Sequence, residues 1–118
     1  MARCDAGYFC YQCGEYVEDI TESELYLRYV LGEIPYERLR KLPDGHIRCE
    51  ASLAQFIVDP GFEPVEEERE YLDKRRMDPA EVARREERVT RGWRRLQEIP
   101  SLELAIEEYP LEPEGKGE

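Results

Sequence analysis

Histidine, lysine and long apolar runs are all in short supply in this chain. Its 118 residues include one histidine, His46, so no serine nucleophile can have its own imidazole base once that ring has another task. No stretch approaches the roughly 18 apolar residues that a membrane-spanning helix needs. The eight glycines form no glycine-rich loop, which removes the classes that cradle phosphates in one. The opening "MARCDAGYFC" lacks the apolar core of a signal peptide, so a cytoplasmic location is expected. In that reducing compartment four cysteines do not read as two structural disulfides.

Positive charge is scarce as well. The 17 basic residues face 28 acidic ones, for a net charge of −11, which disfavours nucleic acid or an anionic membrane as a partner. Only Lys41, Lys74 and Lys116 are lysines; the arginine-and-glutamate bias suits a heat-adapted source. Charged residues make up 38%, against about 25% in an ordinary soluble domain. The surface is then either densely ion-paired or partly disordered. Acidity sits at the two ends: residues 1–60 carry 6 basic and 11 acidic side chains, 61–95 carry 10 and 10, and 96–118 carry 1 and 7. The length fits one domain with a modest core, and no internal repeat is present.

Local patterns predict mostly helical structure. "GYFCYQCGEYVED" reads as a short hairpin. "TESELYLRYVLG" reads as a helix with Thr21 as N-cap, Glu24 as its capping-box partner and Gly32 as its stop. "IPYERLRKLPDG" reads as a helix from Pro35 that must end by Pro43 and the Asp44-Gly45 turn. "HIRCEASLAQFIVDPG" reads as a turn leading into a helix over 49–58, stopped by Pro60-Gly61. An αα-hairpin is expected next. Its first arm covers about 64–76, and its second opens with Asp78 as N-cap, Pro79 and Glu81 and runs to about Glu98. "PSLELAIEEY" adds a last helical turn or two, and 110–118 has too little apolar content to order itself.

Chemistry concentrates in two cysteine-containing pairs. Cys10 and Cys13 are three positions apart in "FCYQCGEY", and His46 and Cys49 repeat that separation in "GHIRCE", 32 residues further on. A two-residue spacer lets both members of a pair reach one ion across a tight turn. Gly14 follows the first pair, and Asp44-Gly45 precedes the second. Zinc takes four such ligands in a tetrahedron, and four protein ligands leave no open position, the pattern of a structural ion. Three other readings stand beside Cys10, Cys13, His46 and Cys49: Cys4 in place of His46, a redox Cys-x-x-Cys, and cysteines with no shared task. A redox motif of thioredoxin type expects a βαβ setting, which the aromatic surroundings of Cys10 do not offer.

"YFCYQCGEY" resembles the first knuckle of zinc-ribbon and treble-clef zinc proteins, where an aromatic precedes Cys-x-x-Cys-Gly. "HIRCEASLAQF", a pair at the start of a helix, is similar to the second half of a treble clef. The resemblance covers these two segments alone. It implies metal ligation by Cys10, Cys13, His46 and Cys49, with Gly14 in the knuckle turn; the long helical insert and the histidine in the second pair depart from the pattern. Members of this broad group serve in nucleic-acid binding, protein interaction and enzyme scaffolding.

A helical wheel of 79–98 puts Val82, Val89, Trp93 and Leu96 on one narrow seam and Arg84, Arg88, Arg91 and Arg95 behind it. The arginines read either as a solvated face or as an anion-binding surface for phosphates or an acidic protein. The first hairpin arm has little beyond Val65 and Leu72 to cover Trp93, so the cysteine-bearing part or a second copy is expected there. The eight tyrosines, among them Tyr8, Tyr11, Tyr16, Tyr26 and Tyr29, read as core and rim around the metal site.

The expected fold is α+β and mostly helical: a small zinc-knuckle hairpin with a helical insert, followed by the αα-hairpin. Residues 1–109 form one domain, divided into 1–60 and 61–99, and 110–118 form a tail. The leading expectation is a non-enzymatic protein with a structural zinc, acting as an interaction or regulatory module. Its partner is a protein or a second copy, met through the 79–98 helix. A nucleic-acid-associated zinc protein using the arginine stripe is the alternative, and a thiol oxidoreductase a lesser one.

Overall fold

A computed structural model describes residues 9–111. Cys4 and most of the expected tail, 112–118, lie outside the described residues. The chain is mostly helical, and only two isolated antiparallel bridges, Phe9 with Tyr16 and Ser23 with His46, represent β-structure among the described residues.

The expected hairpin reduces to a turn closed by the first bridge. Cys10 N donates to Glu15 O (2.7 Å) and Gly14 N to Cys10 O (2.9 Å). Gly14 has φ +79°, a left-handed conformation that a side chain would strain. A 3₁₀ turn, Ile20–Glu22, follows and carries a capping box two residues earlier than expected: Asp19 accepts from Thr21 N, and Glu22 reaches back to Asp19 N. Ser23, not Thr21, then caps helix α1 (Glu24–Val30) by accepting from Tyr26 N at 3.1 Å. Gly32, at φ +84°, ends it as the sequence predicts.

Helix α1 lies at the centre of the core. Leu25, Tyr26, Leu27, Tyr29 and Val30 are all buried, and the ion-paired Glu24 and Arg28 are the helix's only charged side chains. The expected helix from Pro35 is only a 3₁₀ turn, Tyr36–Arg38. Leu39 is its one deeply buried neighbour, so no apolar stripe exists to hold a longer helix. The expected 49–58 helix shortens to a 3₁₀ turn, Ile47–Cys49, and helix α2 (Ala51–Ala54). Glu50 breaks the two apart, and Leu53, Phe56 and Ile57 still reach the core.

No αα-hairpin forms among the described residues. The predicted first arm holds two 3₁₀ turns, Glu70–Leu72 and Lys74–Arg76. Its apolar content is too sparse for a packed helix, and the buried amide of Gln55 organises it instead. Gln55 Nε2 donates to Leu72 O (2.7 Å), and Lys74 N donates to Gln55 Oε1 (3.0 Å).

Helix α3 (Pro79–Leu102) begins at Asp78, which accepts from Glu81 N at 3.1 Å, as predicted, but runs past Glu98. Pro100 stands in the last turn, where it can donate no bond to Leu96 O; the helix stops two residues later at Leu102, with Glu103 as its C-cap at φ +53°. Its buried face, Val89, Thr90, Gly92, Leu96 and Ile99, is wider than the expected seam. A Cβ on Gly92 would lie 2.5 Å from Leu31 Cδ2, so this glycine lets α1 approach α3 closely. The C-terminal segment folds back on both helices. Tyr29 Oη donates to Ile106 O (3.0 Å), and Leu111 N donates to Val30 O (2.8 Å). Pro110 and Leu111, expected in the loose tail, are half-buried.

Candidate metal centre

The 9–17 turn and the 44–50 turn meet through backbone bonds before any side chain is involved. Tyr11 N donates to Asp44 O (3.1 Å), and Glu24 N donates to Gly45 O (2.7 Å), beside the Ser23–His46 bridge. This stitching brings Cys10, Cys13, His46 and Cys49 together with all four donor atoms within 4.8 Å of one another. A metal ion can be held there.

Individual contacts sharpen the geometry. His46 Nδ1 lies 3.3 Å from Cys13 Sγ and 3.8 Å from Cys49 Sγ. An ideal tetrahedron with metal–sulfur bonds of about 2.3 Å and metal–nitrogen bonds of about 2.0–2.1 Å has sulfur–nitrogen edges of about 3.6 Å. The observed edges bracket that value. The other ring nitrogen, Nε2, lies 3.0 Å from Tyr16 O. A carbonyl only accepts, so Nε2 carries the hydrogen and the Nδ1 lone pair of the neutral ring faces the sulfurs. His46 is thus oriented as a ligand by a backbone group of the facing turn.

The thiols differ in environment. Cys10 is buried, Cys13 exposed and Cys49 between the two, and no disulfide links them. Burial alone would raise the Cys10 pKa, but the N–H groups of His46 (3.4 Å), Cys13 (3.5 Å) and Gln12 (3.3 Å) outweigh it and draw the thiol down to about 6. Cys13 Sγ accepts from Glu15 N at 3.4 Å. Burial, then hydrogen bonds and repulsion from Cys13 and Cys10, push Cys49 up to about 12. Burial works against a charged His46, yet its bonds to Cys10 and Tyr16 raise its pKa. Protons and a metal cation therefore compete for one electron-rich cluster.

The arginine stripe is not one surface. Arg88 Nη2 donates to Leu31 O (3.3 Å), while Arg95 donates from Nε to Tyr109 O (3.1 Å) and from Nη2 to Glu108 O (2.6 Å). Arg84 pairs with Glu81, and Arg91 is exposed. Val89 and Leu96 are buried, and half-buried Trp93 packs edge-on against Phe62 at 5.6 Å between ring centroids. The 59–62 turn of the same chain therefore covers the tryptophan in part.

Sequence reasoning missed the residues that position the ligands: Ser23 and Asp44 as a buried clamp behind His46, and the Tyr16 carbonyl. The Asp-Gly turn was a visible signal for the first; a backbone acceptor leaves none. The chain matches no protein-family model, and neither curated proteins nor solved structures show a significant similarity to it.

Proposed function

We propose that this protein is a non-enzymatic zinc protein in which Cys10, Cys13, His46 and Cys49 hold one structural ion that fastens the 9–17 turn to the 44–50 turn. The observation that carries this reading is the four-donor cluster with His46 Nδ1 turned toward the sulfurs by the Nε2 bond to Tyr16. Three sulfurs and one nitrogen suit zinc rather than a hard cation. Four protein ligands leave no site for water or substrate, which favours a structural role. A thiol oxidoreductase needs a reachable nucleophile, and the thiol of lowered pKa, Cys10, is only 2% exposed.

The reading includes a role as a protein-interaction module. Phe9, Tyr11 and Tyr16 flank the cluster, and all three stay exposed. Aromatic rings held open on a rigid turn are what protein interfaces use. Arg95 is tethered to two carbonyls and Arg84 is paired with Glu81, which breaks up the stripe and favours a protein partner over a phosphate backbone running along it.

Molar metal content of the untagged protein is the test. The expected result is about one zinc per chain, lost in Cys49→Ser and His46→Ala and retained in Cys4→Ser. Retention of full zinc by the first two variants, or its release by Cys4→Ser alone, overturns the ligand set. A gel shift that weakens steeply with salt would favour the nucleic-acid alternative.

A further inference from the structure

A cavity of about 430 Å³ lies between α1, α2 and α3, and its lining shares no residue with the cysteine cluster. Arg28 of α1 and Arg85 and Arg88 of α3 line it, with Ser52 of α2 and the carboxylates Glu33 and Glu81. Three guanidiniums against two carboxylates is a local surplus of one positive charge in a chain of net −11. Arg84, Arg88, Arg91 and Arg95 suggested one linear stripe in the sequence; the fold gathers a different set.

The donors of these arginines are only partly used. Arg28 gives Nε to Glu24 (2.5 Å) and Nη1 to Glu33 (3.0 Å), which leaves Nη2. Arg88 spends Nη2 on Leu31 O and keeps Nη1. Arg85 is the least committed: its Nε lies 3.4 Å from Glu81 Oε2, a carboxylate already shared with Arg84, and neither Nη is engaged. Its guanidinium sits over the Phe56 ring, 5.3 Å from the centroid, which fixes the head group while its edge stays half-exposed.

We propose that this cavity binds a small phosphate-bearing molecule, with Arg28, Arg85 and Arg88 gripping the phosphate. The choice of phosphate follows from acceptor count. A carboxylate presents two oxygens in one plane, whereas a phosphate monoester offers three terminal oxygens to donors from several directions. The volume falls within the range of small-molecule sites, about 300–1,000 Å³, and is too small for a nucleic-acid duplex. The half-buried side chains of Leu72 and Met77 give the rest of such a ligand an apolar wall.

The test is calorimetric and thermal titration of the full chain with inorganic pyrophosphate and adenosine monophosphate, at constant ionic strength set by chloride. The expected result is saturable one-to-one binding that raises Tm and is weakened about tenfold or more in Arg85→Gln, since the variant loses a charge-assisted bond. Arg85 is half-exposed and is not among the residues of the cysteine cluster, so this variant should fold and keep its metal content. Arg28→Gln provides an independent second variant. Absence of saturable binding to both probes overturns the proposal, as does affinity unchanged in both variants. Malonate binding as tightly as pyrophosphate overturns the assignment to phosphate.

Discussion

The hydroxyl of Ser23 donates to Asp44 Oδ1 across 2.9 Å, and neither side chain reaches solvent. The same carboxylate oxygen accepts from Gly45 N at 2.7 Å, while Ser23 Oγ accepts from Tyr26 N at 3.1 Å. One hydroxyl therefore caps α1 and anchors the turn that presents His46. Ser23→Ala removes a cap worth about 1 kcal/mol and a bond to a buried carboxylate worth about 1–3 kcal/mol. Urea unfolding should show a loss of about 2–4 kcal/mol, together with weaker metal retention. A loss below about 0.5 kcal/mol would show that the clamp is not structural.

Gly92 sets the distance between α1 and α3. Alanine is favoured over glycine within a helix by about 1 kcal/mol, yet its Cβ would meet Leu31 at 2.5 Å and 3.1 Å. Overpacking a buried contact costs about 1–3 kcal/mol, so Gly92→Ala should destabilise by about 1 kcal/mol and Gly92→Val by more. In a Leu31→Ala background the clash disappears, and Gly92→Ala should become neutral or stabilising. A double-mutant cycle with no coupling would remove Leu31 as the limiting contact.

These two relationships mark what was legible in the sequence and what was not. The paired Cys and His-Cys spacings and the Asp78-Pro79 start of α3 depend on residue type at short separation, so the sequence displays them directly. The register of capping was not decidable, because Asp19/Glu22, Thr21/Glu24 and Ser23 all offer cap chemistry within six residues. The 64–76 segment carries helix-compatible residues, but its conformation is set by Gln55, a residue outside it. Arg88 and Arg95 bind backbone carbonyls of Leu31, Glu108 and Tyr109. Backbone acceptors contribute no letter to the sequence, so a wheel shows the arginines and hides what they hold.

Acid should loosen the 59–76 side of the molecule first. Asp59 accepts from Gly61 N (2.7 Å) and Arg94 Nε (2.5 Å), and these bonds hold its carboxyl below the ordinary range. The bond from Arg75 does the same for Asp73. Both folded values are depressed, so the stabilisation is present above the unfolded carboxylate value of about 3.9 and is lost as pH falls through the lower folded values. Asp59→Asn should be less stable than the parent at pH 7, with the gap narrowing as pH falls below the unfolded carboxylate value and closing only beneath the depressed folded one. A gap in Tm that stays constant across that range would mean the Asp59 charge plays no part.

Metal removal should open one end of the protein and leave the rest folded. Cys10 and Val17 are the buried apolar residues of the 9–17 turn, and neither joins the main hydrophobic cluster, which runs from Leu25 through Phe56 to Ile99. The contact of α1 with α3 and the C-terminal bonds to Tyr29, Val30 and Arg95 use no metal ligand. An ion held by the four residues would therefore fasten a turn to a core that already exists, unlike small zinc modules whose whole fold needs the metal. Chelation should abolish hydrogen-exchange protection of the Cys10 and Gly14 amides and lower Tm, with helical circular dichroism nearly unchanged at 25 °C. Collapse of the helical signal on chelation would show that the ion holds the core itself, and retained protection at Cys10 would show that the turn closes without it.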